Sequence, residues 1–266
     1  MKNSTPVKGV PKTLAESKER ENSQIEVIPM ETLLKQLQQL GVHTLKNNDT
    51  IMLEILNNPQ PQAIEIDKLI NKLITHRTTK KLMLECPNQM VNQLNLTKAN
   101  MKITGERVVY TRSLMLPEPF AVPNYEVWSI DDPNSIAFLA EVMQKSFADT
   151  QYFLQQMLEE LPSQAEKMFT VYLVDYEPVG VVFPHIEPHT ASEGRLFWIG
   201  LHPLYVGKGL GKALHTIGLH RLKQDFNAHT YVGITQVENV AMRNIMRVNG
   251  CNEIENTLIT LQDVRD

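Results

Sequence analysis

Residues 199–214 read Ile-Gly-Leu-His-Pro-Leu-Tyr-Val-Gly-Lys-Gly-Leu-Gly-Lys-Ala-Leu, and Gly207, Gly209 and Gly211 fall at alternate positions within it. That spacing suits neither a helix interior nor a strand, so it marks a deliberate loop. The apolar stretch 195–201 before it predicts a strand that ends by Pro203. Leu210, Ala213, Leu214 and Ile217 then recur at helical spacing, so a helix with one sheet-packed face follows at once. Strand, glycine loop and helix N-terminus in that order make a socket for a phosphate. Glycines let the backbone approach the oxygens, unpaired amides point at them, and the helix dipole favours negative charge.

Two familiar phosphate loops do not fit. Walker A needs a Gly five residues before its Gly-Lys pair and Ser or Thr after it, but Val206 and Ala213 hold those places. The dinucleotide fingerprint Gly-x-Gly-x-x-Gly/Ala meets Lys212 in one register and Leu214 in the other. A third pattern, (Arg/Gln)-x-x-Gly-x-(Gly/Ala) between strand and helix, is met by residues 206–211 with Val206 in the Arg or Gln place. This loop resembles the coenzyme A pyrophosphate loop of the GNAT acyltransferase superfamily. Alone, it would also serve as a glycine-rich connector without a ligand.

Flanking segments support the resemblance. Residues 169–175, a Tyr-Glu-Pro turn at 176–178, and 179–183 predict an antiparallel hairpin leading to strand 195–201. Beyond the helix, 231–235 reads as a strand, and Asn239 precedes a short helix at 240–248 that Gly250 stops. Asn239 and Gly250 match a second GNAT signature, Asn-x-x-Ala-x-x-x-Tyr-x-x-x-Gly-Phe, whereas Met242, Met246 and Cys251 replace its Ala, Tyr and Phe. The resemblance runs from about Tyr125 to the C-terminus. It implies an α/β (α+β) fold with a mixed, mostly antiparallel sheet, flanking helices and two splayed central parallel strands.

It also implies acetyl-CoA as co-substrate, without a metal. Backbone groups of Ile199 and Leu201 would bond the pantetheine arm, and the loop Val206, Gly207, Lys208, Gly209, Leu210, Gly211 and Lys212 would hold the pyrophosphate. Asn239 would cap its helix, bond the pantetheine, or both. Lys208, Lys212, Arg243 and Arg247 either add positive charge there or stand solvated. Acyl transfer to an amine further needs a base and a donor to the thioester oxygen. His185, Glu187, His189 and Glu193 cluster around the hairpin turn that should lie opposite the loop. Glu187, Glu193 and His185 are the base candidates; the alternative is a hydrated polar turn. Arg195 suits an acceptor carrying a carboxylate, or pairs with Glu187 or Glu193. The general-acid Tyr of the resemblance falls on Met246, which cannot donate a proton. His202 reads as structural, Phe197 and Trp198 as core. The function implied is acetyl transfer to a primary amine by direct attack, a non-catalytic coenzyme A-binding or regulatory module being the alternative.

The 266 residues suggest one large or two small domains. Twenty-six basic against 30 acidic residues give −4, so charge makes no case for nucleic acid or an anionic membrane as partner. Two cysteines without a CxxC motif, and no apolar run of signal or membrane-spanning length, point to the cytoplasm. Pro117, Pro119 and Pro123 suggest a joint. The expected units are a polar arm at 1–24, an N-terminal α/β domain at 25–116 and the GNAT-like domain at 124–266. Within the last, 125–130 predicts the first strand, and helices are expected from Asp131 or Asp132 to about 147 and over 149–161.

In the first part, 33–40 and 63–74 have helical periodicity, while 51–56, 81–85 and 107–114 read as strands. The order from Lys81 to Thr111 matches the second half of a GNAT fold without its glycine loop. This part is therefore either a degenerate GNAT-like half or a simple α/β cap, covering an acceptor pocket or making a homodimer contact. The acceptor, a small-molecule or peptide amine, is not identified by these residues.

Overall fold

The computed structural model describes residues 28–46, 49–55, 62–75, 81–115, 117 and 121–264. The arm expected at 1–24 lies outside them. Among the described residues eleven strands form one sheet. The first part contributes α1 (Met30–Gln39), β1 (His43–Lys46), β2 (Thr50–Glu54), α2 (Ala63–Thr75), β3 (Lys81–Pro87), α3 (Asn88–Val91), α4 (Asn95–Asn100) and β4 (Met101–Ser113). The second contributes β5 (Tyr125–Val127), α5 (Pro133–Met143), α6 (Phe147–Glu160), α7 (Ala165–Met168), β6 (Thr170–Val174), β7 (Glu177–Ile186) and β8 (Glu193–Leu201). Then come α8 (Gly211–Gln224), β9 (Thr230–Gln236), α9 (Val240–Val248), β10 (Asn252–Glu253) and β11 (Leu258–Asp263).

The strand order is β1-β2-β3-β11-β4-β9-β8-β7-β6-β5, with β10 on β4. Pairs β2–β3 and β8–β9 are parallel and the rest antiparallel, a mixed and mostly antiparallel sheet flanked by helices. The sheet runs across the proline stretch. Strand β4, before it, pairs with β9 from Arg107↔Gln236 to Ser113↔Thr230, and β11 inserts between β3 and β4. The strand expected at 107–114 begins already at Met101, and β1, β10 and β11 were not anticipated. They are short, or pair only with distant segments, so local pattern alone says little of them.

Local chemistry accounts for the helix starts near the cavity. Asp132 caps α5 by accepting from Asn134 N–H, with Pro133 in the first turn, and Ser146 caps α6 through Asp149 N–H. Helix α6 thus begins two residues before the expected 149. Asn239 caps α9 through Met242 N–H, and Gly250, just past the helix, has φ +76°, the left-handed conformation that stops it.

Separate apolar clusters brace the two parts. Leu33, Leu37, Ile66, Ile70, Leu84 and Ile259 lie under α1 and α2, whereas Leu139, Met157, Phe169, Val181 and Phe183 lie under α5 and α6. Each fully buried aliphatic or aromatic side chain contributes roughly 1.5–3 kcal/mol before entropy is subtracted.

One irregularity decides where a ligand can enter. From Pro184↔Leu196 to Val182↔Ile199 strand β7 advances two residues and β8 three, so β8 carries a bulge at Phe197 and Trp198. A bulge bends its strand and breaks the ladder. Consistently, β8 meets β9 only at Glu193↔Thr230 and Gly194↔Tyr231, and beyond that point the two parallel strands have parted. Trp198 folds over Gly200, where an added Cβ would lie 2.2 Å from the indole.

Candidate active site

Hydrogen bonding alternates along an antiparallel pair. His202 N–H donates to Val179 C=O at 2.9 Å, which makes 202↔179 a bonded pair. Two residues on, Gly200↔Val181 is bonded too, so the N–H and C=O groups of Leu201 and Ile199 face the opposite edge, into the gap beside β9.

At the C-terminal end of β8 a short turn, Pro203–Tyr205, leads to the glycine loop. Gly207 and Gly209 have φ of +81° and +79°, and an added Cβ would meet nothing within 4 Å at either. Their need for glycine is thus conformational, and the loop faces open space. Among the described residues the N–H groups of Gly207, Lys208, Gly209, Leu210 and Gly211 donate to no protein acceptor. Helix α8 has no side-chain cap at Leu210, so its first turn offers these donors directly. Val206 is exposed, and the Lys208 ammonium lies 4.9 Å from the Tyr205 ring centroid. Lys212 sits in the first turn of α8, its carbonyl accepting from Asn249 Nδ2. Arg243 and Arg247 bind Glu253 instead of reaching the loop. His202 accepts from Leu204 N–H, meets Glu141 at 3.2 Å and stacks on Phe138.

Between the parted strands lies a cavity of about 370 Å³, lined by Phe197, Trp198, Ile199, Tyr231, Gly233, Asn239 and Met246 among others. Phe197 and Trp198, expected in the core, are partly buried and form its wall. Asn239 both caps α9 and lines this cavity, its Nδ2 donating to Thr235 Oγ1 at 3.1 Å.

The other end holds the charged groups. His185, Glu187 and Arg195 all line the cavity. Glu187 Oε2 lies 3.3 Å from His185 Nε2 and 3.4 Å from Arg195 Nε, while Glu193 Oε1 takes Arg195 Nε at 2.7 Å. Glu54 from β2 accepts Arg195 Nη1 at 3.0 and 3.3 Å. Arg195 is therefore surrounded by three carboxylates. Glu187 Oε1, His185 Nδ1 and Arg195 Nη2 remain buried without a partner. Burial pushes Glu187 toward protonation, but the His185 hydrogen bond and the Arg195 charge outweigh it and hold its pKa below the ordinary carboxylate value. For Glu54 burial prevails over Arg195, with Glu187 adding repulsion, and its pKa is raised. Adjacent carboxylates pushed in opposite directions are a common mark of an acid–base site.

Motif reading missed Glu54, Glu85, Arg107 and Tyr231. Glu54 and Glu85 are register partners on β2 and β3, each alone in an apolar run, and Glu85 binds Arg107 at 2.5 Å. A single carboxylate inside a buried strand was the available signal. Tyr231 offers a hydroxyl beside Met246, 3.7 Å from its sulfur. Asn249 Nδ2 donates to Lys212 C=O and reaches His215 Nδ1 at 2.9 Å, so that ring nitrogen accepts and Nε2 carries the hydrogen toward Tyr231 Oη at 3.1 Å. The tyrosine's own proton is left pointing toward Met246 and the cavity. Among the described residues no group of three or more His, Cys, Asp or Glu could hold a metal ion, and no helix is long and apolar enough to cross a membrane.

Residues 127–250 match the family model described as Acetyltransferase (GNAT) family. No curated protein matches the chain. Among solved structures, a GNAT-family acetyltransferase from Colwellia psychrerythraea superposes with a TM-score of 0.55 at 13% identity, over 84% of this chain and 81% of that one. A GCN5-related N-acetyltransferase from Kribbella flavida gives 0.56 at 10% identity, over 89% and 95%. A tandem GNAT protein from the clavulanic acid biosynthesis pathway gives 0.53 at 11%, over 85% and 79%. At these identities the likeness is one of fold, and it extends beyond residues 127–250.

Proposed function

We propose that this GNAT domain moves an acetyl group from acetyl-CoA to a primary amine by direct attack. The observation that carries the reading is the parting of β8 from β9, with five unpartnered loop amides beyond the end of β8 and, in the cavity between the strands, a wall that includes Glu187 with one oxygen unpartnered. The amides of residues 207–211 hold the diphosphate, at roughly 1.5–3 kcal/mol for each bond to a charged acceptor. Ile199 and Leu201 hold the pantetheine arm as though it were an added strand. From Arg195 to Leu201 extended backbone covers ~20 Å, enough to separate phosphate from chemistry. The coenzyme supplies an acyl carbon activated as a thioester.

Glu187 Oε1 takes one proton of the incoming ammonium; the freed nitrogen bonds to the acyl carbon as the carbon–sulfur bond breaks, and the nitrogen's surplus proton passes through water to the departing thiolate. Ile199 N–H donates to the acyl oxygen while charge builds there. Tyr231 donates a hydrogen bond to the departing thiolate and keeps its proton, because burial raises its pKa far above that of an exposed phenol. Glu193 and His185 position Arg195 and Glu187. A reducing cytoplasm suits the free, buried Cys86 and Cys251. The first part of the chain, read as a degenerate GNAT-like half, closes the acceptor pocket through Glu54 and Arg107 and leaves a homodimer contact open to it.

Calorimetry with acetyl-CoA and a thiol-release assay over a broad amine panel test this. No binding at millimolar acetyl-CoA overturns it. Met246 in the place of the family's Tyr favours a second reading, a module that holds coenzyme A without catalysis. Turnover on any amine excludes that alternative.

A further inference from the structure

We propose, building on the acetyl-transfer reading, that the acceptor end of the cavity selects amines bearing a second positive charge and no carboxylate, aliphatic di- and polyamines being the class that fits. Five carboxylates, Glu54, Glu85, Glu160, Glu187 and Glu193, stand on or directly behind this wall against two guanidiniums, Arg107 and Arg195. The surplus of negative charge sits in a partly enclosed space, where it is screened far less than at a surface.

The polar atoms left over have the same preference. Glu187 is 3% exposed and its Oε1 has no partner, so an ammonium fits it. Arg195 is 9% exposed with Nη2 unpartnered, yet its charge is already met by Glu54, Glu187 and Glu193. A substrate carboxylate would gain little from Arg195 and would face the surplus carboxylates, whereas a neutral oxygen or a water suits that N–H. Glu54, whose pKa burial and Glu187 raise, gains from a second cation nearby. Phe197 and Trp198 supply apolar wall for the methylenes between the two charges.

The test is a size-matched charge series. Calorimetry measures binding of 1,4-diaminobutane, butylamine and 4-aminobutanoate to the full chain, with and without saturating coenzyme A. The diamine should bind about tenfold or more tighter than butylamine, with 4-aminobutanoate weakest, and the gap should narrow as salt rises. Glu187→Gln and, separately, Glu54→Gln should each reduce the diamine preference, so one folded variant suffices. Equal binding of diamine and butylamine, binding of 4-aminobutanoate as tight as the diamine, or no amine binding at all overturns the proposal. Because the amines are also titrated without coenzyme, failure of acetyl-CoA to bind sinks the acetyl-transfer reading separately and leaves the amine order measurable.

Discussion

The gap between β8 and β9 presents backbone at its loop end and side chains at its hairpin end. Around Gly207 and Gly209 the groups available to a ligand are main-chain amides on one continuous segment, in open surroundings. Around Glu187 they are buried carboxylates and guanidiniums brought by β2, β4, β7 and β8. A main-chain site tolerates changes of side chain, so Val206 can replace Arg or Gln without loss of the loop's shape. A buried side-chain site is less forgiving, because removing one partner strands another charge, at about 3–5 kcal/mol.

If this contrast is right, substitutions at the two ends should separate chemistry from coenzyme binding. The largest effect is expected at the hairpin end. Glu187→Gln keeps shape but cannot take a proton, so kcat should fall about 10²–10⁴-fold while acetyl-CoA affinity changes little. Because the folded-state pKa of Glu187 is depressed, its carboxylate persists at neutral pH and is lost only as pH falls below the ordinary value of 4.5. Unchanged kcat in steady-state assays would remove Glu187 as the base.

At the loop end, Gly209→Val forces a β-branched residue into φ +79°. With strain of roughly 1–3 kcal/mol, acetyl-CoA should bind about 10–100-fold more weakly by calorimetry, with kcat at saturation nearly intact. A fall in kcat with unchanged affinity would break the comparison.

His215 tests the α8 helix that starts at the loop and reaches β9. Full burial, with the Arg112 charge adding, lowers its pKa to about 3 from 6.5. Between those values the unfolded chain binds a proton the folded chain excludes, so stability falls as pH falls. From pH 7 to 5 the loss from this group is about 2 kcal/mol. Denaturant unfolding of His215→Phe should show a correspondingly flatter dependence, and an equal slope contradicts the burial of a neutral ring.

Tyr231→Phe should leave acetyl-CoA affinity unchanged. Loss of one hydrogen bond to the anionic leaving group, about 1.5–3 kcal/mol, lowers kcat by roughly 10- to 150-fold. If thiol release is unaffected, Tyr231 does not assist the leaving group.

Much of the second half was legible in the sequence. Gly207, Gly209 and Gly211, the strand ahead of them, Asn239 as a cap and Gly250 as a stop are local features, each within a few residues of the structure it sets. The bulge at Phe197 and Trp198 was not legible, because it exists only as a mismatch between two strands. Nor was the place of β11, whose partners Leu84 and Ile103 are more than 150 residues away in sequence.

Sequence alone determined that a glycine loop with unpaired amides joins strand to helix, because glycine's backbone freedom and a helix's free first-turn donors are properties of neighbouring residues. It also brought Glu187, Glu193 and Arg195 into one hairpin. Tertiary structure decided what Arg195 does. Paired with Glu54 from β2, 141 residues away, it is matched by carboxylates and has little left for a substrate's. Charge balance in a buried pocket is a sum over every chain segment that reaches it, and only the folded sheet fixes which segments those are.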